Sequence, residues 1–140
     1  MANILIVESY FALSLLYREV LEECGHHVFL SASGREALVV ALHKSIDIAV
    51  VDDKLTDFSA KDFFIRLKQL QPHVRGILTV SSIFGSASNG ERWDGVIGKN
   101  SDYTLLRAEI DRLAGLGNAR ESGRPASGIS GFLPLDQSRG

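Results

Sequence analysis

Five short apolar runs punctuate the chain: ILIV at 4–7, HHVFLS at 26–31, IAVV at 48–51, GILTVS at 76–81 and GVI at 95–97. An unbroken apolar run of this length, bounded by polar residues, predicts a strand covered on both faces, as in a parallel sheet. The second run is partly polar and fits a sheet edge. Between the runs the apolar spacing changes to that of helices. Leu13, Leu16, Tyr17, Val20, Leu21 and Cys24 form one stripe, with Gly25 as a left-handed stop. SGRE places Ser33 and Glu36 as a capping box ahead of ALVVAL. A third helix presents Phe63, Leu67 and Leu70 and is closed by Pro72, and a last one presents Leu106, Ile110 and Leu113 and ends near Gly115 or Gly117.

Strands alternating with helices predict an α/β fold, a parallel sheet with helices on both faces and right-handed crossovers. The stretch SIFGSASNGERWD, 82–94, is too rich in Gly, Ser and Asn for a full helix, so a short or frayed turn is expected between the fourth and fifth strands. From residue 118 to 140 Gly, Ser and Pro predominate and few core formers remain, which predicts a flexible tail after a domain spanning 1–117.

At 140 residues the chain holds one core. Its formal net charge of −2 lacks the basic excess that phosphate-backbone binding requires, so nucleic acid is not an expected partner. A single cysteine, Cys24, forms no internal disulfide and is expected to be buried on the first helix. No run approaches the ~18 apolar residues of a membrane span, and no membrane partner is expected; the default is a cytoplasmic protein. His26, His27, His43 and His73 are dispersed, and the adjacent pair should face opposite ways, which disfavours a zinc site.

The polar residues that follow the strands converge. Glu8 and Ser9 follow the first strand, Asp52 and Asp53 the third, Ser81 and Ser82 the fourth, and Lys99 the fifth. In open α/β sheets ligands bind at these carboxyl ends, and strands ~4.8 Å apart bring such side chains around one crevice. A carboxylate, a cation and a hydroxyl around one point suit phosphoryl transfer to the carboxylate. Asp52 attacks phosphorus, while Ser81 and Lys99 stabilise charge on the phosphoryl oxygens. Mg²⁺, a hard ion that takes oxygen ligands, is the expected cofactor, held by acidic residues.

The segments ILIVES, DIAVVDDKLTDFSA, ILTVSS and GVIGKN resemble, in order, the signature segments of response-regulator receiver domains of two-component systems, and SGREAL resembles the opening of that family's second helix. The resemblance covers residues 1 to about 117. It implies a flavodoxin-like, doubly wound five-stranded parallel sheet of order 2-1-3-4-5, here with a short or degenerate fourth helix. It further implies Asp52 as phosphoacceptor, Glu8 as the first of an acidic pair, and Ser81 and Lys99 as the phosphoryl-stabilising residues. The backbone carbonyl of Lys54 falls where the family supplies a metal ligand. The implied partners are a sensor histidine kinase or phosphotransfer protein and an unidentified downstream protein, reached without an output domain. No enzyme activity is implied beyond self-phosphorylation from a donor and slow hydrolysis of the aspartyl phosphate.

Departures from the family pattern are equally specific. Ser9 stands where a second acid is usual; at ~4 Å and an effective dielectric near 20 one charge pair is worth about 4 kcal/mol before desolvation, so the metal site is weakened unless Asp53 compensates. Thr56 and Ala60 replace a proline and a glycine, Asn100 replaces a proline, and Val96 replaces the aromatic or histidine of the usual switch. The alternative is therefore an atypical receiver, a pseudo-receiver interaction module with weakened or lost Mg²⁺-dependent phosphorylation. A hydrolase on the same fold is the third class; a dehalogenase-like phosphatase would want an acid at position 54, which is Lys. Asp57 is expected to stabilise a turn, and Ser59 with Asp62 to cap the third helix.

Overall fold

The computed structural model describes residues 1–81, 93–99 and 102–121. Five strands, β1 (Asn3–Val7), β2 (His27–Ser31), β3 (Ile48–Asp52), β4 (Arg75–Val80) and β5 (Gly95–Gly98), form one sheet of order β2-β1-β3-β4-β5. All neighbouring pairs are parallel, with Val7 opposite Val51 and Asp52 opposite Thr79. The helices are α1 (Phe11–Glu23), α2 (Gly34–His43), α3 (Ala60–Leu70) and α4 (Tyr103–Glu121). The fold is the flavodoxin-like one expected, with the partly polar β2 at the sheet edge. The turn expected between β4 and β5 falls on residues outside those described, as do Asn100 and the tail from 122 onward.

Alternation along each strand divides the core into two layers. Leu5, Val7, Ala49, Val51, Leu78 and Val80 face α2 and α3, against Ala37, Ala41, Phe63, Phe64 and Leu67. Ile4, Ile6, Ile48, Val50, Ile77 and Ile97 face α1 and α4, against Tyr17, Leu21, Leu106, Ile110 and Leu113. Continuing each strand in steps of two leads from Ile6 to Glu8, from Val50 to Asp52, from Thr79 to Ser81 and from Ile97 to Lys99. The four polar residues therefore belong to the layer between the sheet and α1/α4.

The helix signals act locally as expected, with four differences. Ser33 Oγ accepts from Glu36 N at 3.1 Å, but Glu36 Oε1 reaches back to Ala32 N, one residue beyond the cap itself. Cys24 is half-buried, because α1 ends at Glu23 and Cys24 is its C-cap ahead of Gly25 at φ 91°. Leu16 and Leu70, expected on buried stripes, are exposed, and Phe64 is buried on α3 instead; the sheet covers only an arc of each helix. Finally, α4 runs to Glu121, past Gly115 and Gly117. A glycine inside a helix costs only about 1 kcal/mol relative to alanine, and it ends one when it takes a positive φ, which among the described residues only Gly25 does.

Candidate functional site

The carboxyl edges of β1, β3 and β5 bring Glu8, Asp52 and Lys99 together. Lys99 Nζ lies 2.8 Å from Asp52 Oδ1 and 3.1 Å from Glu8 Oε1. Both carboxylates are buried, whereas the lysine side chain keeps partial exposure. Backbone amides complete the cage: Lys54 N donates to Asp52 Oδ1 at 3.0 Å, closing an Asx-type turn, and Tyr10 N donates to Glu8 Oε2 at 3.1 Å. Lys99 N is itself bonded to Val80 O at 2.8 Å, so the ammonium is presented from a strand end fixed against β4.

Charge is shared unequally between the acids. Burial opposes ionisation of Asp52, but Lys99 and the Lys54 amide outweigh it and hold its pKa below the usual carboxylate range. Burial raises the pKa of Glu8, and the neighbouring Asp52 charge adds to the rise. Asp53 is raised by burial and then by Asp52 beside it. Lys99, though burial works against its charge, is held protonated by Asp52 and Glu8. The result is an ionised Asp52 at the centre, the state a nucleophilic carboxylate requires.

Of the other expected residues, Ser81 and Ser9 are exposed at the same edge, directly after β4 and β1. Lys54 is exposed and engages Asp52 through its amide. Asp53 directly follows β3, and its amide donates to Thr79 O at 2.9 Å. Two residues escaped the sequence analysis. Thr79, opposite Asp52, is buried and donates its hydroxyl to Val51 O at 3.4 Å. Tyr17, assigned there only to an apolar stripe, is pushed up in pKa by burial and then by Glu8, and meets Tyr103 edge to face at 6.0 Å.

The donor set is chemically suited to a hard divalent ion. Among the described residues the buried Asp53 Oδ1 has no hydrogen-bond partner, and Glu8 Oε1 has only its ion pair to Lys99 at 3.1 Å; both are carboxylate oxygens of the kind Mg²⁺ takes. Among the described residues no group of three or more His, Cys, Asp or Glu is arranged to hold a metal ion.

This sheet order is that of flavodoxin-like folds, and Glu8, Asp52 and Lys99 meet at its strand ends. Neither a protein-family model nor a curated protein sequence matches the chain. Solved structures match it over most of their length. A CheY-like response regulator receiver domain protein from Methanospirillum hungatei is 24% identical at a TM-score of 0.73, covering 84% of this chain and 98% of its own. The signal receiver domain of a putative LuxO repressor from Vibrio parahaemolyticus is 16% identical at a TM-score of 0.79, covering 89% and 98%. The response regulator TrrA from Thermotoga maritima, solved in complex with Mg²⁺ and BeF, is 20% identical at 0.73, covering 81% and 99%. At these identities the likeness establishes the receiver fold. Among the described residues no helix is long and apolar enough to cross a membrane.

Proposed function

We propose that the protein is a phosphoacceptor receiver of a two-component phosphorelay, phosphorylated on Asp52 and signalling through protein contact. The observation that carries this is the Lys99 ammonium 2.8 Å from an ionised, buried Asp52 at the carboxyl edge of a receiver-type sheet. An oxygen of Asp52 attacks the phosphorus of a donor, in the phosphorelay a phosphohistidine. The bond from phosphorus to the donor nitrogen breaks, its electron pair stays on the imidazole, and that ring takes a proton from water. Lys99 moves its charge from carboxylate to phosphoryl oxygens, and Ser81 supplies a hydroxyl from the rim. Glu8, Asp52 and the Lys54 carbonyl would hold Mg²⁺, which would supply neutralisation of phosphoryl charge.

The upstream partner is a sensor histidine kinase or phosphotransfer protein in the cytoplasm, and the downstream partner is a protein. A net charge of −2 calls for neither nucleic acid nor membrane. The aspartyl phosphate returns to aspartate by slow attack of water, which is the extent of the chemistry.

One observation favours a second reading, a pseudo-receiver: Ser9 is neutral and exposed where an acid is usual, and Lys99 already bridges both carboxylates. Incubation with a small phosphodonor, with and without Mg²⁺, separates the two. The receiver requires an acid-stable, base-labile mass increase that Asp52→Asn abolishes. No labelling of wild type, but labelling of Ser9→Asp, selects the pseudo-receiver.

A further inference from the structure

A groove of about 370 Å³ opens at the amino edge of the sheet, between the carboxyl ends of α2 and α3. Leu42, Leu70 and Pro72 give it apolar walls, and both leucines are exposed, Leu42 at 64% and Leu70 at 43%. His43, Lys44 and His73 stand around it, and no acidic residue lines it. Its floor is fixed. The buried Gln71 side chain donates to Ala41 O at 2.7 Å and to Lys44 O at 2.8 Å, and it accepts from Ile46 N at 2.7 Å. One side-chain amide thus satisfies carbonyls left open where α2 ends and ties that end to α3.

The tail carries a segment of matching chemistry. Most of its large apolar residues, Phe132, Leu133 and Leu135, gather in FLPLD at 132–136. Pro134 fixes its own φ and steers Leu133 towards extended backbone, the form that lies along a groove. Asp136 follows, opposite in charge to Lys44.

The tail also starts at the right edge. Helix α4 follows β5 and runs back along the sheet for 19 residues, about 28 Å, against strands only ~13–20 Å long, so it delivers the chain past the amino edge. Phe132 lies eleven residues beyond Glu121. A Gly/Ser-rich chain of that length has an r.m.s. span of about 17–20 Å and a maximum of about 36–40 Å. Helix layers on the two faces of one sheet lie about 20 Å apart, so the segment reaches the groove by passing under the edge.

We propose that residues 132–136 dock within their own chain in this groove, with Phe132, Leu133 and Leu135 against Leu42, Leu70 and Pro72, and with Asp136 beside Lys44. The docked tail covers an apolar face at the edge opposite Asp52. The contact is therefore independent of phosphorylation and of the receiver reading.

Paramagnetic relaxation in the full chain tests this. A nitroxide is attached at Ser130→Cys in a Cys24→Ser background, and the amide signals of His43, Lys44, Ser45 and His73 are followed by NMR. They should lose most of their intensity. Replacing Phe132, Leu133 and Leu135 together by serine keeps the tether and the label but removes the docking side chains, and the intensity should return. Leu42→Ser, a change at an exposed position, should restore it from the groove side, with far-UV circular dichroism verifying the fold.

Full intensity at these four amides in the labelled chain overturns the proposal, as does broadening that persists in the triple-serine variant or in Leu42→Ser. A mixture of spin-labelled chain and separately isotope-labelled chain distinguishes the remaining occupant. Broadening of the same amides in that mixture assigns the groove to the tail of a second copy and overturns docking within one chain; its absence supports it.

Discussion

Lys99 and Asp52, forty-seven residues apart in sequence, meet at 2.8 Å, and the same ammonium contacts Glu8 at 3.1 Å. One cation thus holds two buried carboxylates. Replacing it with the apolar Lys99→Met leaves the acids facing each other without compensation. Because the lysine is partly exposed, the expected loss is at the low end for a broken buried pair, about 2–3 kcal/mol, measured as a shift in the urea midpoint. The loss should be confined to a pH window. The Asp52 contribution is present above its unfolded pKa and disappears as pH falls through its depressed folded value. The Lys99 contribution is full below its unfolded pKa and disappears as pH rises through its raised folded value. A difference between variant and wild type that persists at both extremes contradicts the ion-pair account.

Glu8 and Asp53 give a stability slope of opposite sign. Their folded pKa values are raised, so in the window above the ordinary carboxylate range the folded state holds protons that the unfolded state has released. Stability therefore falls as pH climbs through that window. Glu8→Gln should flatten the decline and leave the acid-side loss from Asp52 in place. Urea midpoints of wild type and variant across pH 4–8, on the order of the window such shifts span, measure it. Parallel profiles for the two proteins would show that Glu8 does not titrate in this way.

Asp57 ties the loop after Asp52 to a different helix. Its carboxylate oxygens accept from Gly34 N at 3.1 Å and Arg35 N at 2.9 Å, capping α2 from twenty-three residues away. A local turn had been the expectation; the open amides of α2 compete better for the carboxylate, helped by the positive helix end. Asp57→Ala should cost about 1 kcal/mol in urea, the usual value of a cap. Ser33→Ala removes the bond to a different amide, Glu36 N, so the two losses should add. Strong non-additivity would mean that the two caps are one cooperative unit.

The sheet and the site core were legible because each rests on a local rule. Apolar runs mark parallel strands, and polar residues just past those runs must gather at one edge, so Glu8, Asp52 and Lys99 could be placed from spacing alone. What was not legible depends on three-dimensional neighbours. The role of Asp57 depends on α2 lying within reach. Trp93, in a stretch unsuited to helix by composition, is buried on Phe64 because Gly76 leaves room on β4.

That stack predicts the effect of a single methyl group. Phe64 and Trp93 lie 4.5 Å apart and nearly parallel, and a Cβ at Gly76 would come within 2.5 Å of Phe64 Cζ and 2.9 Å of Trp93 Cε3. Neither ring can retreat easily, since both are buried. Gly76→Ala should therefore destabilise by about 1–3 kcal/mol, the usual cost of overpacking. Trp93 is the only tryptophan, so its fluorescence reports the disturbance directly. An unshifted emission maximum with an unchanged urea midpoint would mean that the rings move aside at no cost.

His26 gives the fold a separate acid dependence, remote from the carboxylates. It is buried; its Nδ1 accepts from Ala2 N at 3.0 Å, and its Nε2 lies 3.8 Å from the exposed Asp111 on α4. Accepting at Nδ1 requires an unprotonated nitrogen there, so a second proton breaks the bond that holds the start of β1. Burial lowers the folded pKa, more than Asp111 raises it. The unfolded chain then binds a proton before the folded one does, and stability must fall as pH drops from the ordinary histidine range towards the lowered value. His26→Gln can retain an acceptor for Ala2 N without titrating. Its urea midpoint should hold steady between about pH 7 and 5 while that of wild type declines. Equal declines would place the acid sensitivity elsewhere.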